Sequence, residues 1–525
     1  MLERLASLFG GSRRPSPSKP WFYRGSALST PEDLEQANYG WRRWAGAKTN
    51  RLNAHQWLDS LVGGTLNEDL ASYLDNLRER CCLEAERNEY LKGVINTHAM
   101  DIVGESGPTL HIHSDNDAYS TWAERVWRDW WQPSDLDSLA RDYHGPDINN
   151  QLSGIDLLNL WVKSQWKCGE HLFQFVTDNA ANTPIKLRIA DIHPRRLGTP
   201  TQPADLDVVM GVKITPTGKP LIYYVGEPDS QPYRLTENHT PIAAGQIVHQ
   251  FMVEEAGQVR GVPWAATSLQ GAADLRQYDE DVLDCADQAA SMGIAWYSDH
   301  PSAEFFEVNE TTDMRPRQQW TGPPGWKPMQ INPQQPTQSY VEFRKERLAG
   351  IGRPVSMPLL IVRLTAERHT YSSARMDVKM YERALGWYQG WLARGTLSPC
   401  VVRVLREAEL AAGAGRLNPM PPKPPRVGIS WTWPKLPHVD PQKEANGERT
   451  RLENGTLPFT DACAAHGLDE DMVIEKWQRT NQKLVAAGAE PIPSPMAYLA
   501  AQISQMESAS ASTTTELEED DDDAE

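Results

Sequence analysis

No stretch of this 525-residue sequence approaches the ~18 consecutive apolar residues that a membrane-crossing helix needs. Its opening, MLERLASLFGGSRRPSPSKP, holds a short amphipathic piece and a Ser/Pro/basic linker without the apolar centre of a signal peptide. The expectation is a chain that neither spans a membrane nor is secreted by that route. Cysteine is scarce as well. Cys81, Cys82, Cys168, Cys285, Cys400 and Cys463 are too few and too scattered for a disulfide framework at this length, so they read as reduced thiols.

Positive charge is also short, with 52 Lys and Arg against 70 Asp and Glu and a formal net charge of -18. The last ten residues, ELEEDDDDAE, supply -8 of that, and the remainder is still acidic. Broad gripping of nucleic acid is built from clustered Lys and Arg, so this balance argues against it. It agrees equally with a plain soluble enzyme or with a surface past which DNA must move without sticking. Catalytic signatures are missing too. Gly218-Lys219 lacks a phosphate loop, because Gly211 lies too far upstream and Pro220 stands where a Ser or Thr would hold magnesium. There is no HExxH, no paired CxxC and no GxSxG. His111 and His113 alternate as strand residues do, without a Cys or His nearby to complete a metal site. A scattered carboxylate pair of the hydrolase kind stays open, since spacing alone never excludes one.

Of what is present, 40% hydrophobic content and this length predict two to four domains with ordinary cores. The segment to Gly64 is irregular, with Trp41, Trp44 and Trp57 among polar residues. Asn67 to Val103 reads as one long helix with Leu70, Leu74, Leu77 and Cys81 on its apolar face. Arg78, Arg80 and Arg87 fall on its polar sides, where Glu79, Glu84 and Glu86 offer pairs. Trp122, Trp127, Trp130 and Trp131 recur at helical spacing, which predicts core packing over base stacking. Ile155 to Cys168 is a further helix. HLFQFV, KLRIADI, GVKITP, PLIYYV and QIVHQFMV are short runs between turn signals and read as strands. Residues 21–260 are therefore expected to form one α+β domain.

A helical pattern from Ala265 to Ser298 puts Val282, Ala286, Ala289, Gly293 and Trp296 on one face. Asp274, Asp279, Glu280, Asp281, Asp284 and Asp287 stand on the others against the single Arg276. Such a row suits a solvated or subunit-facing surface, with acid/base or metal chemistry as the alternative. Residues 299–337 are Pro-rich, with Glu304 to Val308 as a candidate strand. SYVEFRKERLAGIG is a short amphipathic helix that stops at Gly352 to Pro354, and a loop follows. Ser372 or Ser373 then caps a long helix with two apolar stripes. Ala374, Val378, Tyr381, Leu385, Tyr388 and Leu392 form one, and Met376, Met380, Ala384, Trp387 and Trp391 the other, so burial against more than one neighbour is expected. Pro399 should kink or end this helix. A Pro-rich connector with a short strand and a helical pattern over Pro441 to Ala487 follow, and the Ser/Thr-rich, acidic end reads as disordered.

The order IGRPVSMPLLIVRLTAERHTYSSARMDVKMYERAL, with TYSSAR opening the long helix, resembles the lambda family of tailed-bacteriophage portal proteins. RERCCLEAERNEYLKGVINTHAMDIVG, LRIADIHPRRLGTP, GVKITPTGKPLIYYV and VDPQKEANGERTRLENGTLPFTDACAAHGLDEDMV resemble further segments of that family in the same order, so the likeness spans roughly residues 40 to 480. It implies an α+β portal-type fold with a mixed α/β wing, a helical stem, a small clip insertion and a mainly helical C-terminal crown region. The expected division is a flexible start over 1–20, the wing over 21–260, a first stem helix over 261–298, the clip over 299–337, and a second stem helix over 338–351. A tunnel loop over 352–372, the long wing/crown helix and C-terminal helices over 373–490, and an acidic tail over 491–525 complete it.

The resemblance also implies a role. The role implied is that of a homo-oligomeric ring, a dodecamer, at one capsid vertex of a virion assembled in the host cytoplasm, through which double-stranded DNA would pass without sequence specificity during packaging and ejection. Terminase large subunit, major capsid protein, scaffold and a head-tail adaptor would be its partners. No cofactor, metal or catalytic residue is implied. Arg363, Glu367, Arg368 and His369 are the expected tunnel-loop residues, with Arg363 and Arg368 either touching phosphates or pairing with acids of the neighbouring stem helix. Asp279, Glu280, Asp284 and Asp287 are the channel-side acids of the stem, and Arg315, Arg317, Trp320, Trp326 and Lys327 the docking residues of the clip. The readings of a soluble carboxylate-pair hydrolase and of a non-viral oligomeric scaffold stand beside it.

Overall fold

The computed structural model describes residues 65–133, 143–200, 207–228, 235–290, 293–299, 327–331, 338–367, 370–436, 441–468, 470–486 and 490–491. The expectations for 1–64, for the strand at Glu304 to Val308 and for the acidic tail lie outside them. Helices α1 (Leu66–Arg87) and α2 (Glu89–Val103) lead to strand β1 (Thr109–Ser114) and helices α3 (Asp117–Trp131) and α4 (Gly154–Cys168). Then come strands β2 (Glu170–Thr177), β3 (Leu187–Ile192), β4 (Val208–Val209), β5 (Val212–Ile214), β6 (Pro220–Pro228), β7 (Leu235–Ala243) and β8 (Ile247–Phe251). Helix α5 (Leu269–Ala290), strands β9 (Gly293–Tyr297) and β10 (Lys327–Ile331), and helices α6 (Gln338–Gly352), α7 (Leu359–Val362) and α8 (Tyr371–Leu392) follow. A π-helical turn over Ala393–Leu397 runs into α9 (Ser398–Gly413), and β11 (Val427–Thr432), α10 (Pro441–Glu453), α11 (Phe459–Ala465) and α12 (Glu470–Ala486) close the chain. This is the α+β architecture expected.

The chain divides into two compact units, one of residues 1–99 with 132–407 and one of 100–131 with 408–525. In the first, an antiparallel sheet of order β4-β5-β6-β7 accompanies one of order β3-β2-β8. Apolar residues alternating along these strands meet in one core of Leu172, Ile192, Leu197, Val212, Ile214, Tyr223, Val225, Ile247 and Val259. Burying each aliphatic side chain stabilises the unit by roughly 1.5–3 kcal/mol. Helix α4 packs on β2 and α1. Ser153 and Asp156 start it with reciprocal cap hydrogen bonds, and Gly169 ends it in the left-handed region at φ 83. A side chain at Gly169 would run into the backbone of Val262, so only glycine fits.

Where one helix was expected from Asn67 to Val103 there are two. Asn88 adopts an extended conformation and ends α1. Its Oδ1 accepts from the Leu91 N–H at 3.0 Å and its Nδ2 donates to the Ala272 carbonyl at 3.0 Å, so an asparagine that competes with helix backbone makes the break. Arg78 also departs from expectation. It is 1% exposed and reaches Glu170 at the head of β2, 2.7 Å away, not a neighbouring acid on α1.

Glu170 is the keystone of this unit. Arg260 donates to it from Nε and Nη2 at 2.9 and 2.6 Å, and the Gly261 N–H donates at 2.9 Å. His249 Nε2 lies 3.1 Å from its other oxygen. Burial alone would raise the Glu170 pKa, but Arg260, Arg78 and then His249 overcome it and hold the carboxylate well below its usual range. The remaining guanidinium donors go to backbone: Arg78 Nε to the Cys168 carbonyl at 2.9 Å, and Arg260 to the carbonyls of Met210 and Pro194 at 2.6 and 2.9 Å. A buried ionic cluster persists only when its donors are satisfied in this way.

In the second unit β1 pairs antiparallel with β11, Thr109 opposite Thr432. Helix α3 covers β1, with Trp127, Trp130 and Trp131 each at most 3% exposed. Trp127 stacks on Trp131 at 4.9 Å and meets Trp431 edge-on at 5.5 Å, so Trp127, Trp130 and Trp131 are core, as their spacing predicts, while Trp122 is half-buried. The ladder partner of β1 lies some three hundred residues downstream, so 100–131 falls in the same compact unit as 408–525. His111 is buried and His113 exposed, with His113 Nε2 2.6 Å from Ser430 Oγ. Among the described residues no three His, Cys, Asp or Glu converge as a metal site, and no helix is long and apolar enough to cross a membrane.

Candidate channel elements

Helices α5 and α6 pack together, and their contacts sort the acids of α5 into two sets. Asp279 turns toward α6, where Tyr340 Oη donates to it at 2.7 Å and Arg344 pairs with it at 3.1 Å. Tyr278 packs beside it on Tyr340 and Phe343, with ring centres 5.8 and 5.1 Å apart. Arg276 is taken by Glu84 of α1 at 3.2 Å and by Glu280 at 3.3 Å. Glu280, Asp284 and Asp287 are all exposed and stand at i, i+4 and i+7, one face of the helix. Asp274 and Asp281 are exposed too and accept from Gln270 and Gln277 one turn back, at 2.7 and 3.0 Å. Three of the four acids singled out in the sequence thus share an outward row, and the fourth braces the helix pair.

Helix α5 stops at Ala290, short of the expected Ser298. Gly293 and Trp296 leave the helical face and enter β9, which pairs with β10 from Gly293 opposite Ile331 to Tyr297 opposite Lys327. The reason is local: GIAWY begins with a glycine and carries β-formers at alternate positions. Lys327 forms an exposed ion pair with Asp299. Arg315, Arg317, Trp320 and Trp326 lie outside the described residues.

After α6 the chain turns sharply at Gly352. An added Cβ there would meet the Met357 carbonyl oxygen and Val362 Cγ2, each at 2.6 Å, so the turn requires glycine. Val355, Met357 and Val362 are buried and anchor the loop through a 3-10 turn and the short α7. Beyond α7 the apolar logic reverses. Leu364 adopts φ 49, rare for a branched side chain, and is 75% exposed. Arg363 pairs with Glu367 at 3.7 Å within the loop itself, a partner that neither sequence reading named. Arg368 and His369 lie outside the described residues.

Helix α8 starts at Thr370, whose Oγ1 accepts from the Ser373 N–H at 3.3 Å while Ser373 Oγ reaches back to the Thr370 N–H at 3.1 Å. The cap is therefore Thr370, and Ser373 is its reciprocal partner. The two stripes differ in cover: in the first Tyr381, Leu385, Tyr388 and Leu392 are buried and Ala374 and Val378 half-buried, whereas in the second Ala384 and Trp391 are half-buried and Met376, Met380 and Trp387 are 60%, 67% and 52% exposed. The helix passes Pro399 without ending. The π turn at Ala393–Leu397 takes up the ring at the second residue of α9, where no backbone donor is needed. Gln250 secures this turn. It donates to the Trp391 carbonyl at 2.7 Å and accepts from Thr396, whose hydroxyl lies 2.8 Å from His171 Nε2. Burial lowers the His171 pKa to about 3, so the ring is neutral.

In this α+β chain, paired helices lead through an anchored loop to a long helix that leaves large apolar side chains exposed. The chain belongs to the lambda family of phage portal proteins, whose family pattern matches residues 53–389. It is also similar to a chain in the neck of an empty gene transfer agent particle computed with C6 symmetry, at 12% identity over 75% of this chain and 94% of that one, TM-score 0.42. An HK97-family phage portal protein from Corynebacterium diphtheriae is similar at 9% identity over 68% of this chain and 96% of that one, TM-score 0.30. No curated protein matches at a significant level.

Proposed function

We propose that this portal protein works as one subunit of a closed ring at a capsid vertex of the virion. The ring is a dodecamer that conducts double-stranded DNA during packaging and ejection and docks terminase large subunit and then a head-tail adaptor. The observation that carries the ring is the uncovered stripe of Met376, Met380 and Trp387 on α8. Three large apolar side chains in a row on one helix, half or more exposed, are a surface that a neighbouring subunit would cover. The outward row of Glu280, Asp284 and Asp287 supports the conduit: on a channel wall it would repel phosphate and shorten DNA residence. In this reading 21–260 is the wing, α5 and α6 are the stem, 299–337 is the clip that meets terminase, and 352–372 is the tunnel loop. Arg363 and Arg368 make weak, sequence-independent phosphate contacts there, and Arg363 must leave Glu367 to do so. Capsid protein and scaffold contact the outer wing. The chain itself is no enzyme, and ATP hydrolysis belongs to the docked terminase. Negative-stain imaging of the purified chain with its mass in solution tests the reading, which requires rings with a hole wide enough for a duplex.

A further inference from the structure

The sequence holds two Asn-Gly pairs, Asn446-Gly447 within α10 and Asn454-Gly455 just past its end, and neither has a part in the portal reading. All four residues are exposed, and a Cβ added at either glycine would meet nothing within 4 Å, so solvent reaches both pairs alike. The backbone separates them. Gly447 is interior to α10, where each N–H bonds the carbonyl four residues back and the preceding side chain leans toward the helix N-terminus, away from that nitrogen. Asn454 follows the last helical residue, Glu453, and Gly455 leaves the helix at φ 71. Here the asparagine side chain folds forward over the turn: its Oδ1 accepts from the Thr456 N–H at 3.1 Å and from Thr456 Oγ1 at 2.6 Å. The same two Thr456 donors also approach the Arg451 carbonyl, at 3.0 and 3.4 Å. An oxygen held two residues ahead turns its carbonyl carbon toward the Gly455 nitrogen, whose N–H has one bond to give up, to the Leu452 carbonyl at 3.2 Å.

We propose that Asn454 is a self-modification site, where the turn promotes cyclisation onto Gly455 and hydrolysis to aspartate and isoaspartate, with water as the co-reactant. Base takes the Gly455 amide proton, and that nitrogen attacks the Asn454 side-chain carbonyl carbon. The charge that develops on Oδ1 falls on the two Thr456 donors, which already stand where an oxyanion needs them. A carbon–nitrogen bond forms to close a cyclic imide, the side-chain carbon–nitrogen bond breaks, and the leaving nitrogen takes a proton from solvent and departs as ammonia. Water then opens the imide at either carbonyl, and nothing is oxidised or reduced. One opening leaves aspartate, the other a backbone lengthened by a methylene carbon. Both place a carboxylate at the C-terminal end of α10, where the helix dipole disfavours it. Isoaspartate also shifts Gly455 and Thr456 out of the register that leads through Pro458 into α11.

The test incubates the full chain at neutral and at alkaline pH, folded and in urea, and follows both pairs by tryptic mapping with fragmentation that separates isoaspartate from aspartate. Arg449 and Arg451 put the two asparagines on different peptides. In the folded chain Asn454 should convert roughly tenfold faster than Asn446, and faster at the higher pH; in urea the two rates should converge. Thr456→Val removes one donor and should slow Asn454 by about fivefold, the net worth of one hydrogen bond, while Thr456→Ser keeps the wild-type rate. Equal rates at the two sites in the folded chain, a preference for Asn454 that persists undiminished in urea, or an unchanged rate in Thr456→Val would overturn the proposal. The comparison of the two sites reads the unaltered protein, so a variant that fails to fold does not blunt it.

Discussion

Around Glu170 every strong donor finds its acceptor inside the chain; on α5 and α8 the chain leaves acids and large apolar side chains facing outward. The first region is a closed account of charges, with two arginines, a histidine and a backbone N–H meeting one carboxylate. The second shows Met376, Met380 and Trp387 on one helix and Glu280, Asp284 and Asp287 on another. Folding of a single chain explains the first. In the ring proposed, assembly would explain the second, because a ring subunit keeps faces that only its neighbours or its cargo complete.

The largest effect expected is at the keystone. Glu170→Ala leaves Arg78 and Arg260 buried without a counter-charge and should cost about 3–5 kcal/mol in chemical denaturation. The sign of the pH dependence follows from the depressed Glu170 pKa. Its contribution is fully present above the unfolded value of about 4.3 and is lost as pH falls below it toward the native value. Denaturation midpoints measured from pH 7 down to pH 3 should fall for the wild type and flatten in Glu170→Gln.

The outward stripe should behave in the opposite way. Met380→Glu or Trp387→Glu should leave the melting temperature of the dissociated chain nearly unchanged and weaken association by about 2 kcal/mol, roughly thirtyfold, in sedimentation or native mass measurements. Equal loss of stability in the isolated chain would mean that the stripe serves folding, and the contrast between the regions would collapse. Asp279→Asn sharpens the line between them. This carboxylate braces α5 on α6 through Tyr340 and Arg344, so it should cost about 1 kcal/mol of stability. The weakest effect expected is that of Glu280→Lys with Asp284→Lys and Asp287→Lys. Stability should stay within about 0.5 kcal/mol, while retention of duplex DNA by assembled protein rises and becomes strongly salt-dependent.

The same contrast explains what was legible in the sequence. Periodic segments announced themselves: α3 with its tryptophans, α4, α6, α8 and most of the strands. Three of the four acids expected on the channel side could be placed together because i, i+4, i+7 spacing is a helix face. Asp279 resists such placement, since its orientation depends on Tyr340 and Arg344, sixty residues away. Arg78 was misplaced for the same reason, because a partner on β2 outcompetes the acids of its own helix. The one available signal was Glu170 itself, an acid inside WKCGEHLFQF with Trp166, Cys168, His171, Leu172 and Phe173 buried around it. β7 escaped notice because LTENHTPIA is mostly polar and gains its order from the β6 ladder. The π turn escaped because Pro399 reads as a stop until Gln250 and Thr396 are seen to hold the backbone past it.

The most direct test of the account is the assembly state of the purified full-length chain, by negative-stain electron microscopy together with its mass in solution. Closed rings of many subunits, with a central hole that admits a DNA duplex and an outline lost in Trp387→Glu, are the predicted result. A compact monomer or dimer at micromolar concentration, unmoved by salt or scaffold protein, would contradict it and return attention to the carboxylates as a catalytic pair.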